Sequence, residues 1–250
     1  IKKKQGNKTI HYGFVSTGNL NEKTALLYGD HCLLTSNRAI MADINRIFNY
    51  LLQPKTGLHF LKACRNLMVS PLFMRKQITA LIDQEIRNAK NGKRSGILLK
   101  LNSLSDEALI NKLYEAAESG VEIRMIIRGI CCMLTENKRF KTAVQAISIV
   151  DEYLEHARVM IFHNAGRQSV LISSADLMVR NLDHRVEAAV YIKDPAICDE
   201  IRDILLIQLK DNVKARWLDN GLSNRYVRIA GKKIRSQIET YNYLFNRAHH

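Results

Sequence analysis

The feature that most restricts the fold of this chain is a strand–helix–strand pattern between residues 97 and 128. Residues 97–101 and 121–128 are short, mainly apolar runs that predict buried strands, and residues 105–119 between them predict a helix. Ser105 is the expected N-cap, Asp106 and Glu107 lie in the first turn, and Gly120 follows the last turn. This order predicts two parallel strands joined by a right-handed crossover.

Further periodic segments extend this unit into an α/β fold, a mixed sheet flanked by helices. The later strands follow one another closely, which favours antiparallel pairing. The break at residues 54–57, which contains Pro54 and Gly57, is the best candidate for a domain boundary. Ser70 and Pro71 resemble a cap followed by the first residue of a helix. The remaining predicted strands are 9–16, 159–162, 170–173 and 186–192, and the remaining predicted helices are 39–52, 71–89, 195–211 and 232–246.

The charge of the chain restricts its partners. The 38 Lys and Arg residues outnumber the 24 Asp and Glu residues, for a net charge of +14. Such an excess favours a nucleic acid, an anionic membrane or a phosphate polymer, or else reflects a scattered positive surface. Only 7% of the residues are aromatic, which disfavours a nucleic-acid module that stacks bases.

The cysteines and the apolar segments indicate a compartment. Five cysteines occur without C-x-x-C spacing, which suits a reducing cytoplasm and gives no metal signature. No apolar run approaches the roughly 18 residues needed to span a bilayer. We expect a cytoplasmic location, and peripheral association with the inner membrane stays open.

A histidine and an arginine two residues apart form the first candidate for chemistry. His156 and Arg158 would point to the same face of a strand. Histidine can carry a phosphoryl group or a proton, and arginine binds phosphate oxygens in pairs. The spacing resembles the H-x-K element of phospholipase-D-like enzymes. That element continues to an aspartate five residues after the lysine, where this chain has His163.

Two other segments leave alternatives open. The run from Gly18 to Thr24 resembles a phosphate loop, but Glu22 stands where the signature requires glycine. It is therefore either a turn whose amides and side chains face an anion or an ordinary capped turn that starts a helix. Arg128, at the end of a predicted strand, faces either a ligand crevice or solvent.

Taken together, the motifs resemble those of the ATP-dependent type-1 polyphosphate kinases. They follow the family's order along essentially the whole chain. The matching segments are 16–25 with Leu27, Tyr28 and Asp30, 127–131, 153–158, 171–176 with Met178, Arg180, Asn181 and Asp183, 211–216 and 222–226.

The resemblance implies two phospholipase-D-like domains that meet at an active-site tunnel. Residues 1–57 would be the C-terminal tail of the first, truncated catalytic domain, and residues 58–250 the complete second one. The parent enzyme would reversibly transfer the terminal phosphate of ATP to inorganic polyphosphate through a phosphohistidine. Its expected partners are ATP or ADP with Mg²⁺ on the nucleotide phosphates, polyphosphate, its own N-terminal domains and further copies in a homo-oligomer, without a prosthetic group or nucleic acid.

The resemblance also implies functional residues. Tyr28, Arg128 and His156 fall on family positions that bind ATP. His156 is in addition the candidate catalytic residue, which would hold the transferring phosphoryl group opposite the nucleophile or donate a proton. The expected lining of the polyphosphate path is Asn19, Asn21, Lys23, Arg158, Asp176, Arg180 and Arg185, and no residue is expected to ligate a metal.

Three departures from the family pattern limit the expected activity. The family's phosphohistidine belongs to a K-x-H-x-K strand that precedes the first residue of this chain. Phe14 replaces a histidine found in many members, and Leu177 replaces a common tryptophan. We therefore expect a fragment that is inactive alone. The alternatives are a phospholipase-D-like phosphodiesterase or nuclease, which needs complete H-x-K-x4-D elements, and a non-catalytic polyanion-binding module.

Overall fold

The structure, a computed structural model, describes residues 1–249 of the 250-residue chain. Its strands are β1 (Lys2–Gln5), β2 (Lys8–His11), β3 (Gly13–Ser16), β4 (Tyr28–Gly29), β5 (Cys32–Thr35), β6 (Leu67–Val69), β7 (Gly96–Leu101), β8 (Glu122–Ile127), β9 (Val144–Ile149), β10 (Leu154–Glu155), β11 (Arg158–Phe162), β12 (Ser169–Ser173), β13 (Ala188–Ile192) and β14 (Ala215–Trp217). Its α-helices are α1 (Glu22–Ala25), α2 (Arg38–Leu52), α3 (Leu58–Lys62), α4 (Met74–Lys90), α5 (Glu107–Ser119), α6 (Pro195–Leu209) and α7 (Ser236–His249). A π-helical turn spans Arg180–His184.

Eight strands form one mixed sheet in the order β14-β9-β8-β7-β11-β12-β13-β6. Strands β7, β8 and β9 are parallel, and all other neighbours are antiparallel. The predicted parallel pair joined by a helix is therefore confirmed, as is the antiparallel pairing of the later strands. Gly120 has φ 95°, a conformation that favours glycine.

Local details of three predicted elements are wrong. The N-cap of α5 is Asp106 rather than Ser105, because the Asp106 carboxylate accepts the amide hydrogen of Leu109. The single strand predicted at 9–16 is two strands, because β2 pairs with β1 and β3 pairs with β5. Ser70 does not cap α4, which begins at Met74. Instead the Ser70 hydroxyl donates to the carbonyl of Arg185 and accepts from the amide of Glu187.

Helices cover both faces of the sheet and create two apolar layers. On one face α4 and α5 contribute side chains such as Ile82 and Leu113, which pack with Met125 and Met160. On the other face lie α6 and side chains of the first 57 residues, including Val15 and Ile40. Residues 1–57 thus share a core with the large sheet. No helix within residues 1–249 is long and apolar enough to cross a membrane.

The register of the sheet brings several strand ends to one edge. The carboxyl ends of β7 and β8, the start of β11 and the end of β12 meet there, because β11 is antiparallel to both β7 and β12. Strand β10 reaches beyond the large sheet and pairs in parallel with β4, with Leu154 opposite Tyr28. This edge therefore joins loops of the large sheet to residues 17–31.

Candidate active site

His156 lies at this edge, in the connection between β10 and β11, and is held by a distant carboxylate. Its Nδ1 is 2.9 Å from Oδ2 of Asp30, 126 residues earlier in the chain. The hydroxyl of Thr17 donates to the same carboxylate over 2.6 Å. Gly18 permits this arrangement, because a Cβ atom at that position would overlap the Asp30 carboxylate.

The ionisation of Asp30 is set by opposing effects. Burial raises the pKa of its carboxyl group. The hydrogen bonds with His156 and Thr17 lower it, as do the charges of His156 and Arg158, and the resulting pKa lies below the ordinary value. Asp30 is therefore a stable carboxylate partner for the imidazole, which fixes the orientation of the ring.

Arg158 connects His156 to a second carboxylate. Its Nη1 donates to the carbonyl of Thr17 over 2.7 Å and lies 3.1 Å from Nε2 of His156. Its Nη2 donates to Oδ2 of Asp176 over 3.1 Å. The predicted proximity of His156 and Arg158 is present, although β11 begins only at Arg158 and His156 precedes it. Asp176 also accepts from the backbone amides of Asn102 and Ser103, so it orients the arginine.

Arg128 joins the cluster through Asn102. The Asn102 side-chain oxygen accepts from Nη2 of Arg128 over 2.8 Å, and its amide nitrogen donates to the carbonyl of His156 over 3.2 Å. Arg128 Nε also donates to the carbonyl of Glu155. Arg128 is thus half-buried and bonded to Asn102 and to the segment of His156, and its predicted position facing a ligand crevice stays a prediction. Within residues 1–249 its guanidinium has no carboxylate partner.

Tyr28 closes one side of the cluster. Its ring lies 4.9 Å from the His156 ring, centroid to centroid, with the planes tilted by 53°. The amides of His156 and Ala157 both donate to the carbonyl of Gly29, which fixes this approach. Beside Tyr28 opens a cavity of about 390 Å³ whose walls include Asp30 and Glu155.

The other predicted site residues lie outside this hydrogen-bonded cluster. Asn19, Asn21, Lys23, Arg180 and Arg185 are all exposed. The run from Gly18 to Thr24 forms a capped turn, the second of the two alternatives: the Asn21 side-chain oxygen accepts the amides of Lys23 and Thr24 and caps the short helix α1. The proposed contact of these five residues with polyphosphate remains a prediction.

His163, which replaces the aspartate of the H-x-K-x4-D element, lies at the opposite end of β11. It follows Phe162, and its Nδ1 accepts the amide of Gly166 over 3.1 Å. The acidic partner of Arg158 is Asp176, which follows β12. In the H-x-K-x4-D element of a phosphodiesterase, the aspartate would follow on the same segment as the histidine. Here the carboxylate comes instead from the segment after β12.

Sequence reasoning identified His156, Arg158, Arg128 and Tyr28 but assigned no role to Thr17, Asp30 or Asn102. Asn102 directly follows the strand β7, so the strand-end rule applied to Arg128 could have found it. Thr17 and Asp30 belong to a matched motif, but their contact with His156 depends on the fold.

Chemically, the cluster is suited to an oxyanion. Two guanidinium groups and one imidazole lie close together at one edge of the sheet, and their carboxylate neighbours Asp30 and Asp176 are already hydrogen-bonded. Within residues 1–249, no three His, Cys, Asp or Glu side chains form a group that could hold a metal ion. The residues present therefore do not fit a dedicated protein cage for Mg²⁺.

Comparison with known proteins gives the class of this chain. The model of polyphosphate kinase C-terminal domain 1 matches residues 1–57, and the model of C-terminal domain 2 matches residues 67–237. The polyphosphate kinase of Klebsiella pneumoniae is 44% identical over 245 residues, and that of Vibrio cholerae 45% identical over 247 residues. Each alignment covers 98% of this chain and 35% of the relative.

A solved structure agrees over the same range. The polyphosphate kinase of Porphyromonas gingivalis matches with a TM-score of 0.89 at 42% identity, covering 98% of this chain and 37% of that one. The predicted α/β fold, with a mixed sheet flanked by helices, is confirmed.

The chain belongs to the polyphosphate kinase family and corresponds to its C-terminal domains. It spans about a third of the length of the curated relatives it matches.

Proposed function

We propose that this chain forms the C-terminal part of the catalytic centre of a polyphosphate kinase. The parent protein would transfer the terminal phosphate of ATP reversibly to inorganic polyphosphate through a phosphohistidine. The observation that carries the proposal is the cluster of His156, Arg128 and Arg158 at one edge of the sheet, with Asp30 behind the imidazole. ATP, polyphosphate and the other domains of the parent protein are the proposed partners.

The proposed roles follow from what phosphoryl transfer requires. The reaction needs the groups in line and the charge on the phosphoryl oxygens neutralised. His156 would contact the transferring phosphoryl group opposite the nucleophile, while Asp30 holds its ring. Arg128 and Arg158 would contact phosphate oxygens, each contact contributing about 1.5–3 kcal/mol. Tyr28 would position the nucleotide beside His156.

The nucleophilic histidine would come from another part of the parent protein. This chain contains no K-x-H-x-K segment, and Phe14 replaces the histidine of many relatives. The 250-residue chain is therefore expected to form no polymer by itself. Mg²⁺ would arrive on the nucleotide phosphates, and the roles of His156, Arg128 and Arg158 do not depend on a protein-held metal.

The proposal is tested by substituting His156 with alanine in the full-length parent enzyme. Loss of a group that contacts the reacting phosphoryl should lower the rate of phosphate transfer from ATP to polyphosphate by about 10²–10⁴-fold. The melting temperature should fall by no more than a few degrees, because the main loss is the hydrogen bonds of His156 with Asp30 and Arg158.

The matched control is His163→Ala, at the far end of β11. This variant should retain the wild-type transfer rate. A His156→Ala enzyme that turns over normally would remove His156 from the site and end the proposal.

A further inference from the structure

The loop that precedes His156 is held by the beginning of the C-terminal helix. Both Nε and Nη2 of Arg235 donate to the Asp151 carboxylate over 2.8 Å. Gln237, in the first turn of α7, accepts the amide of Tyr153 with Oε1 and donates to the Tyr153 carbonyl with Nε2. Its Nε2 also donates to Oε1 of Glu155 over 2.8 Å. Arg235 also donates to Glu152 over 3.1 Å. Arg235 and Gln237, hereafter the C-terminal brace, thus contact four of the five residues 151–155.

Glu155 anchors the same loop inside the protein. Its carboxylate pairs with Lys100 and accepts from Nε2 of Gln208 over 2.8 Å, and Lys100 in turn donates to Oε1 of Gln208. Burial raises the pKa of Glu155, but the charge and hydrogen bond of Lys100 and the bonds from both glutamines bring it below the ordinary value. A buried carboxylate needs all of these partners, so its position is sharply defined.

The loop is also hydrogen-bonded to residues of the candidate active site. The amide of Leu154 donates to the carbonyl of Leu27 over 2.8 Å, and the amide of His156 donates to the carbonyl of Gly29. The carbonyl of Glu155 accepts from Arg128. The segment held by α7 is therefore the segment on which His156, Tyr28 and Arg128 converge.

We propose that Gln237 is a positioning residue that sets the geometry of the nucleotide-binding edge from the C-terminal helix. Its amide suits the place because it donates and accepts at once. A glutamate at 237 could still accept from Tyr153, but it could not donate and would repel Glu155. The effect of Gln237 on the structure of the loop is inferred from the contacts alone. Its effect on turnover rests on the proposed function.

Amide hydrogen exchange on the 250-residue chain tests the brace without any assay of activity. In Gln237→Ala the amides of Leu154, His156 and Ala157 should exchange about tenfold faster, because the loop opens more readily. In Gln237→Glu they should exchange faster still. Amides in β7 and β8, which exchange through global unfolding, should accelerate by no more than the factor that urea unfolding of each variant predicts.

The matched control is Asn242→Ala, an exposed amide side chain on the same helix. Its loop amides should exchange at the wild-type rate. If neither Gln237 variant changes exchange in the loop relative to Asn242→Ala, the brace does not exist.

Steady-state kinetics of the full-length enzyme test the positioning role. Gln237→Ala should raise KM for ATP about tenfold, because Tyr28 and Arg128 are displaced, and should also lower kcat, because His156 lies on the same segment. Faster exchange with an unchanged KM would overturn positioning and leave only a structural contact. A wild-type enzyme without transfer activity would instead refute the proposed function, and the exchange result would still decide whether the brace exists.

Discussion

A single carboxylate illustrates how individual residues determine this site. Asp30 combines a hydrogen bond to the candidate catalytic imidazole, a second one to Thr17 and a close approach to Gly18. Its side chain is only 20% exposed, so these contacts are partly shielded from solvent. Asp30 should therefore stabilise the fold as well as orient His156.

The Asp30→Asn variant should be about 1–2 kcal/mol less stable than the wild type at pH 7. The folded pKa of Asp30 lies below the unfolded value of about 3.9, so its stabilisation is fully present above that pH. It is lost as the pH falls through the lower, folded value. Urea unfolding at pH 7, 5 and 3 should show a difference that is constant between pH 7 and 5 and smaller at pH 3.

Asp199→Asn provides the control, because that side chain is 54% exposed and pairs with Arg202 at the surface. Its stability should change by less than about 0.5 kcal/mol at each pH. The stability difference between Asp30→Asn and the wild type could instead be as large at pH 3 as at pH 7. That result would contradict a lowered pKa of Asp30 in the folded state.

The limits of sequence reasoning are also visible at single residues. Tyr28, Arg128 and His156 could be predicted because short motifs carry them, and they do converge. The contact of His156 with Asp30 could not be predicted from the sequence, because it joins residues 126 positions apart and depends on the pairing of β4 with β10. The Asn21 side chain caps α1, and its predicted contact with polyphosphate stays a prediction.

At the scale of whole elements, periodicity and caps predict the positions of helices better than they predict which strands pair. Helices α2, α5 and α6 begin within two residues of the predicted positions, because amphipathic repeats and N-caps are local signals. The division of residues 9–16 into β2 and β3 was missed, since it depends on which partner strand each half finds. Ser70 was misassigned because its hydroxyl contacts the segment before β13, more than a hundred residues away.

One arginine holds three elements together behind the candidate site. Arg75, on the first turn of α4, donates to Asp106 at the start of α5 and to Asp183 in the π-helical turn. Asp106 is almost fully buried. The turn fixed in this way carries Arg180 and precedes Arg185, two of the residues predicted to line the polyphosphate path.

Replacing Arg75 with lysine should lower the free energy of unfolding by about 1–3 kcal/mol, because an ammonium group cannot bond both carboxylates in pairs. Lys112→Gln is the control, since Lys112 pairs with Asp83 and Glu115 at the surface. That variant should change stability by less than about 1 kcal/mol. Equal stability of Arg75→Lys and the wild type in urea unfolding would show that the three elements hold together without the bidentate pairs.

On the scale of the whole molecule, residues 1–57 and the large sheet are joined by both a core and a strand pair. Strand β3 packs against β12 and β13, with Val15 in the same apolar layer as Val159 and Ile172. Strands β4 and β10 add backbone hydrogen bonds at the candidate active site. A boundary at residues 54–57 therefore separates segments of sequence that share one folded body, and their unfolding should be coupled.

Neighbouring residues on β3 allow this coupling to be measured. Val15 is 7% exposed and faces the shared core, whereas Phe14 is 46% exposed and faces away from it. Val15→Ala should lower the unfolding free energy of the entire chain by about 1.5–3 kcal/mol, through lost burial and a residual cavity. Phe14→Ala should cost less than about 1 kcal/mol.

The readout that separates coupled from independent folding is hydrogen exchange in the centre of the large sheet. Amides of β7 and β8 exchange through global unfolding, so Val15→Ala should accelerate them by the factor that its urea unfolding predicts. Phe14→Ala should leave those rates near the wild-type values. If Val15→Ala loosens only residues 1–57 while β7 and β8 exchange as before, the N-terminal segment folds on its own and the active-site edge is assembled by docking rather than by one cooperative core.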